Sequence, residues 1–267
     1  MVYFVMEKYL KENKKMLKIL KKSIHYGFGK IGYSIEPLKP NELLGFPPDF
    51  DQATIQLCRY VQSFTMTSKE RILALRKSVE YIIEQDIPGD IVECGVWKGG
   101  SMMVVARTLL EKGVDNRTLY LFDTFEGMAE PTDVDINYLG NAAKDRWKPD
   151  VKWAYSPLDE VKCNMQNTGY DENKILFIKG KVQDTLPEYA PENISLLRLD
   201  TDWYESTYHE LLHLYPRLSV GGVLIIDDYG FWEGSRKAVD QYIKERNLCL
   251  LLNRIDKSGR ICIKHRQ

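Results

Sequence analysis

The sequence predicts an α/β protein with a Rossmann-like, mostly parallel sheet of seven strands, an antiparallel C-terminal strand and an N-terminal helical extension. Three observations carry that prediction. A short apolar run, Ile91-Val92, enters a glycine-rich turn at Gly95, and a helical run over 102–110 follows Ser101. Strand, glycine turn, helix is the opening unit of a nucleotide-binding α/β domain. Strand-like apolar runs then alternate with helical segments as far as residue 246, the pattern of a parallel sheet with crossover helices. Two of those runs end in paired acids, Asp200 with Asp202 and Asp227 with Asp228, where an open parallel sheet binds its ligands.

Length and composition bound the answer. At 267 residues the chain suits one large α/β domain, or one domain with an extension. A formal charge of −1 gives no global field for nucleic acid. Five cysteines, Cys58, Cys94, Cys163, Cys249 and Cys262, are widely spaced and form no C-x-x-C pair, which fits a reducing cytoplasm. No apolar run reaches the length of a spanning helix, and the patch over 1–6 is too short for a signal core. Residues 1–30 hold eight lysines against two glutamates, with Leu10, Leu17, Leu20 and Ile24 at helical spacing. Such a basic helix packs on the body or on a second subunit; weak contact with an anionic membrane surface also suits it. The expected division is an extension over 1–63 and a main domain over 64–267 with an insertion at about 128–155.

Taken in order, Pro37, Pro40, Pro47 and Pro48 mark a connector, and 52–64 reads as a helix. Thr67 and Glu70 fit a capping box opening a second helix to about Gln85, with Ile72, Leu75, Val79, Ile82 and Ile83 on one face. These helices precede the first strand and are placed to cover the ligand site. The second strand, 118–122, ends in Asp123, thirty residues after Glu93. The segment 128–155 is polar and without periodicity, as expected of a lid or active-site insertion. Its Trp147, Trp153 and Tyr155 either line a pocket or pin the segment down. A helix over 158–168, a strand over 174–179 and a loop from Gly180 to Pro187 follow. A strand over 194–199, a helix over 208–215, a break at Pro216 and Gly221-Gly222, and a strand over 223–226 come next. A helix over 235–246 and a strand pair, 248–255 with 260–264, complete the chain.

The glycine turn is specific in its spacing. Glu93, Gly95, Gly99, Gly100 and Ser101 form E-x-G-x-x-x-G-G-S, which departs from the dinucleotide fingerprint G-x-G-x-x-G. It resembles motif I of class I S-adenosylmethionine (SAM) methyltransferases. Glycine lets backbone turn sharply against a ligand, and a helix N-terminus offers free N–H groups to an anionic end. Asp123, after the second strand, is placed to accept bonds from ribose hydroxyls. In methyltransferases the end of the third strand meets the adenine ring, which makes Val182 and Asp184 candidates.

If the fourth and fifth strands are neighbours, their acids converge beside the turn. Clustered carboxylates do not all stay ionised without a cation. Oxygen donors without His or Cys favour a hard ion, Mg²⁺ first. Motif I and these acids together resemble the macrocin O-methyltransferase (TylF/MycF-like) family of SAM- and metal-dependent sugar methyltransferases. The segments that carry the likeness are 88–101, 122–128, 184–187, 199–207 and 226–230, and it spans about 64–242. The resemblance implies Asp200, Asp227 and Asp228 as Mg²⁺ ligands, with Asp200 also the general base. It implies Glu93, Gly95, Gly99, Ser101 and Asp123 near SAM, Asp184 near adenine, and a homodimer. Asp202 is left behind the ligands.

The expected function is Mg²⁺-dependent methyl transfer from SAM to a sugar hydroxyl of a glycoside or glycan precursor. Two readings compete with it. Asp200-Thr201-Asp202 also matches the D-x-D of metal-dependent glycosyltransferases, which use a nucleotide sugar, and a SAM-binding module without turnover needs no clustered acids. His209 and His213, at i and i+4, suit an exposed helix face better than a metal pair.

Overall fold

The computed structural model describes residues 16, 18, 22 and 45–266. Residues 16, 18 and 22 are helical; the rest of the expected basic helix lies outside the described residues. The chain divides into two compact units, Met1–Phe50 and Asp51–Gln267, and the second holds every element named below. Its helices are α1 (Gln52–Val61), α2 (Lys69–Glu84), α3 (Gly100–Glu111), α4 (Leu158–Gln166), α5 (Val182–Thr185), α6 (Tyr204–Leu214) and α7 (Glu233–Glu245). Its strands are β1 (Asp90–Cys94), β2 (Leu119–Asp123), β3 (Ile175–Lys179), β4 (Ile194–Leu199), β5 (Leu218–Ile226), β6 (Asn253–Arg254) and β7 (Arg260–Ile263). They form one seven-stranded sheet in the order β3-β2-β1-β4-β5-β7-β6. The first five strands run parallel; β7 is antiparallel to β5, and β6 to β7. The strand order reverses between β1 and β4, so a crevice opens at their carboxyl ends. Among the described residues no helix is long and apolar enough to cross a membrane.

Register sorts the sheet into two faces. Val92, Leu197 and Leu224 share one row, and Cys94, Leu199 and Ile226 another. This face is apolar and buries Leu211, Leu214, Val239 and Tyr242 of α6 and α7. On the opposite face Glu93 of β1 and Arg198 of β4 are direct register partners. Both are almost fully buried, and Arg198 Nη1 donates to Glu93 Oε1 at 2.5 Å.

Several boundaries differ from the sequence expectation, each for a tertiary reason. Ser68, not Thr67, caps α2 by accepting from the Arg71 amide; its own hydroxyl donates to Asp256 Oδ2 at 2.6 Å. Helix α6 starts at Tyr204, not 208, because the Tyr204 amide donates to Asp135 Oδ1, 69 residues earlier. Gly221-Gly222 lie inside β5, where they exchange backbone bonds with Lys264. The loop after Gly180 contains the short α5. The compact unit begins at Asp51, and α1 packs against α3.

Gly95 joins the two central strands. At φ +83°, a Cβ on it would lie 2.0 Å from the Asp200 carbonyl oxygen. The Asp200 amide in turn donates to the Cys94 carbonyl at 2.8 Å. Glycine is required here because the ends of β1 and β4 touch.

Two substitutions test this account. Gly95→Ala is expected to cost about 2–4 kcal/mol in urea unfolding, from overpacking and the left-handed φ together; a wild-type midpoint would contradict it. Arg198→Met leaves buried carboxylates without their cation, and is expected to cost about 3–5 kcal/mol, lowering Tm by at least about 6 °C. An unchanged Tm would show the arginine to be dispensable to the fold.

Candidate active site

The crevice at the switch point is a cavity of ≈470 Å³, within the size range of small-molecule sites. One part is built from the glycine turn (Gly95, Val96, Ser101), the end of β2 (Phe122, Asp123) and Val182 at the start of α5. The segment Phe64, Thr65, Met66 and Thr67 covers it, fixed by the Gly100 amide donating to the Phe64 carbonyl at 3.0 Å. The cover is thus the connector between α1 and α2; of the two helices expected to cover the site, only Arg71 of α2 reaches the lining. Asp123 is held by backbone: Oδ2 accepts from the Val96 and Trp97 amides at 2.7 and 3.1 Å, and Oδ1 from the Phe125 amide at 2.7 Å.

Of the sequence candidates, Gly95, Ser101, Asp123, Val182, Asp200, Asp227 and Asp228 line this cavity. Glu93, Gly99 and Asp184 are not among the lining residues. Glu93 lies behind the wall, 1% exposed. Gly99, in the left-handed region, caps α3 and faces Val161 and Met165 of α4. Asp184 is exposed. His209 and His213 lie side by side with their rings tilted, 4.4 Å between centroids, and are also outside the lining.

The other part holds the acids, organised by Arg198. Residues two apart on an extended strand share a face, so Asp200 follows Arg198, and Asp227 follows Ile225, the register partner of Arg198. Arg198 Nη1 donates to Asp200 Oδ2 at 2.7 Å and Nη2 to Asp227 Oδ1 at 2.5 Å, besides its bond to Glu93. Arg71 of α2 pairs with Asp227 Oδ2 and, through Nε, with Asp256 at 3.0 Å. Both oxygens of Asp227 therefore face guanidinium groups. Asp200, Asp202 and Asp228 instead face one another, each with an oxygen within 4.8 Å of the others. Asp202 joins them because the chain turns through the left-handed region there, φ 64°. Asp228 Oδ2 is buried and has no hydrogen-bond partner.

Two guanidiniums thus lie among six carboxylates, Glu93, Asp200, Asp202, Asp227, Asp228 and Asp256, an excess of four negative charges if all are ionised. Burial pushes Glu93 up to about 7, against the pull of Arg198. Burial, with Asp200 adding to it, pushes Asp202 up to about 7. Burial and the neighbouring acids hold Asp200 and Asp228 well above the ordinary carboxylate range. Like charges this close ionise together only beside a cation. Three oxygen donors, one with an unmet lone pair, fit a hard divalent ion.

Aromatic rings wall the acids. The Trp203 and Trp232 centroids are 4.9 Å apart, and Trp153 lies 5.7 Å from Trp203. Trp153 comes from the segment 128–155, which is pinned to the body. Asp135, fully buried, accepts from Thr132 and from the Tyr204 amide. Met128 donates to the Trp153 carbonyl, and Asn137 bridges to Trp232. Trp147 donates to the Met128 carbonyl and Tyr155 packs under Lys152; neither lines the cavity. Sequence reading passed over Arg71, Arg198, Trp203 and Trp232. For Arg198 a signal was present: a lone arginine in the apolar run Leu196-Leu197-Arg198-Leu199, matched by Glu93 in the run that becomes β1.

The chain is similar to known proteins over most of its length. The family profile described as Macrocin-O-methyltransferase (TylF) matches residues 51–264. Demethyldecarbamoylnovobiocin O-methyltransferase of Streptomyces niveus is 34% identical over 195 residues, 73% of this chain and 73% of its own. The 8-demethyl-8-(2,3-dimethoxy-alpha-L-rhamnosyl)-tetracenomycin-C 4'-O-methyltransferase of Streptomyces olivaceus is also 34% identical, with the same two coverages. The solved structure of the O-methyltransferase NovP superposes with a TM-score of 0.68 at 33% identity, covering 76% of this chain and 83% of that one. A glycine turn and an acid cluster on one cavity, in a chain matched from Asp51 to Lys264, have one reading: the protein belongs to the macrocin O-methyltransferase (TylF) family.

Proposed function

We propose that the protein transfers a methyl group from SAM to a hydroxyl of a sugar carried on a larger molecule, assisted by Mg²⁺ at the acid cluster. The observation that carries this is the opening of the glycine turn and of the Asp200, Asp202 and Asp228 cluster into one cavity. The rhamnosyl acceptor in the name of the S. olivaceus relative supports a sugar. The methyl donor takes the place of the nucleotide sugar considered for Asp200-Thr201-Asp202.

SAM supplies an activated methyl group on a cationic sulfur, and Mg²⁺ supplies charge that favours the alkoxide form of a bound hydroxyl. The chain does the rest. Asp123, Ser101 and Val182 bound the part proposed for SAM. Asp200 and Asp228 belong both to the set implied by family resemblance and to the geometric cluster, and are the proposed ligands. Asp202 completes the set in this arrangement; Asp227 joins only where Arg71 gives way to the cation. Asp200, its side chain 29% exposed, is the proposed acceptor of the hydroxyl proton. Trp153, half-buried and backed by the buried Trp203 and Trp232, offers the aromatic surface against which the apolar face of a sugar ring packs. Phe64–Thr67 above and the segment 128–155 at the side restrict water, so that oxygen, methyl and sulfur are held in line.

The test is methyl transfer from radiolabelled SAM to a panel of rhamnosides. Activity is expected to vanish with EDTA and return with Mg²⁺. Asp200→Asn is expected to lose at least about a hundredfold in kcat while binding SAM like the wild type. Full activity in EDTA would reject the metal, and an active Asp200→Asn would reject its role as base.

A further inference from the structure

Glu210 lies on α6 with no exposed surface, and nothing proposed above uses it. Its Oε1 accepts the Thr201 hydroxyl at 2.8 Å, and its Oε2 is buried without a partner. Burial holds the carboxyl well above its ordinary range. A buried acid with a single hydrogen bond is a poor choice for filling a core. What it binds explains its presence.

Thr201 is the residue between Asp200 and Asp202, and it lines the cavity. Its carbonyl accepts from the Trp203 amide at 2.7 Å, and the Ser206 hydroxyl approaches the same oxygen at 3.4 Å. These contacts close a turn in which Asp202 has φ 64°, a conformation that non-glycine residues hold only where their surroundings fix it. Without that turn Asp202 would leave the cluster. The tether runs from the rigid helix, through the Thr201 side chain, to the backbone between two acids.

We propose that Glu210 is a positioning residue that, through Thr201, holds the left-handed turn presenting Asp200 and Asp202 to the same cation. The proposal rests on the cation reading given above. It assigns Glu210 no contact with substrate or cofactor. Gln keeps an acceptor oxygen in the place of Oε1, whereas Leu removes it.

The test compares Glu210→Gln, Glu210→Leu and Thr201→Val in the full chain saturated with S-adenosylhomocysteine. Two readouts are taken: hydrogen exchange of the amides over 200–203, and Mn²⁺ affinity from electron paramagnetic resonance. Glu210→Leu and Thr201→Val are expected to speed exchange at the turn and weaken Mn²⁺ about tenfold, with β4 still protected and S-adenosylhomocysteine still bound. Glu210→Gln is expected to stay within about threefold of wild type. If Glu210→Leu does not fold, Thr201→Val removes the same bond from the cavity side. A folded Thr201→Val with wild-type protection and Mn²⁺ affinity would overturn the proposal, as would a Glu210→Gln protein as impaired as Glu210→Leu. A wild-type protein that binds no Mn²⁺ would sink the cation reading instead, and the exchange rates would still decide the turn.

Discussion

A guanidinium in the middle of a parallel sheet has no water to solvate it, so Arg198 persists only because three carboxylates reach it. Glu93 does so across the β1–β4 register, Asp200 by strand alternation, and Asp227 from the end of β5. The dependence is mutual. Removing the arginine would leave those acids buried with only Arg71 beside Asp227, and a broken buried pair costs far more than an intact one contributes. Arginine suits the position because it stays charged and offers several donors in a fixed fork. Sheet, acids and cavity therefore share one electrostatic centre. Part of the surplus charge around it is directed outward, at Asp200, Asp202 and Asp228, where a cation and a sugar hydroxyl are proposed to meet.

Proximity between the two parts of the cavity follows from one close contact. The absent side chain of Gly95 lets the end of β1 lie against the Asp200 backbone. The same glycine turn that opens the part proposed for SAM therefore sets the position of the first acid. On the outer side, Asp135 ties the segment 128–155 to the first turn of α6, which begins two residues after Asp202. Trp153, Trp203 and Trp232 are thereby held next to the acids. Methyl transfer between two bound molecules is chiefly a matter of alignment, and both walls are fixed to the same short stretch of chain.

Much of this was legible in the sequence. The strand–turn–helix unit, the alternation of elements and the paired acids at strand ends follow local rules, and β4 matched its expected bounds of 194–199. What escaped was decided by distant partners. Helix α6 starts early because a carboxylate from the insertion caps it, and Ser68 replaces Thr67 as a cap because Asp256 holds it. Gly221-Gly222 read as a break because the β7 side of β5 was not visible from spacing alone. The division of labour among the acids was hidden for the same reason. Asp227 and Asp202 look alike in sequence, yet one faces two arginines and the other a left-handed turn.

The most direct measurement is anomalous scattering from crystals grown with S-adenosylhomocysteine and Mn²⁺. The account predicts S-adenosylhomocysteine against Asp123 and one Mn²⁺ peak beside Asp200 and Asp228, with Arg198 still bound to Glu93. Crystals that hold S-adenosylhomocysteine but show no Mn²⁺ at those two carboxylates would contradict it.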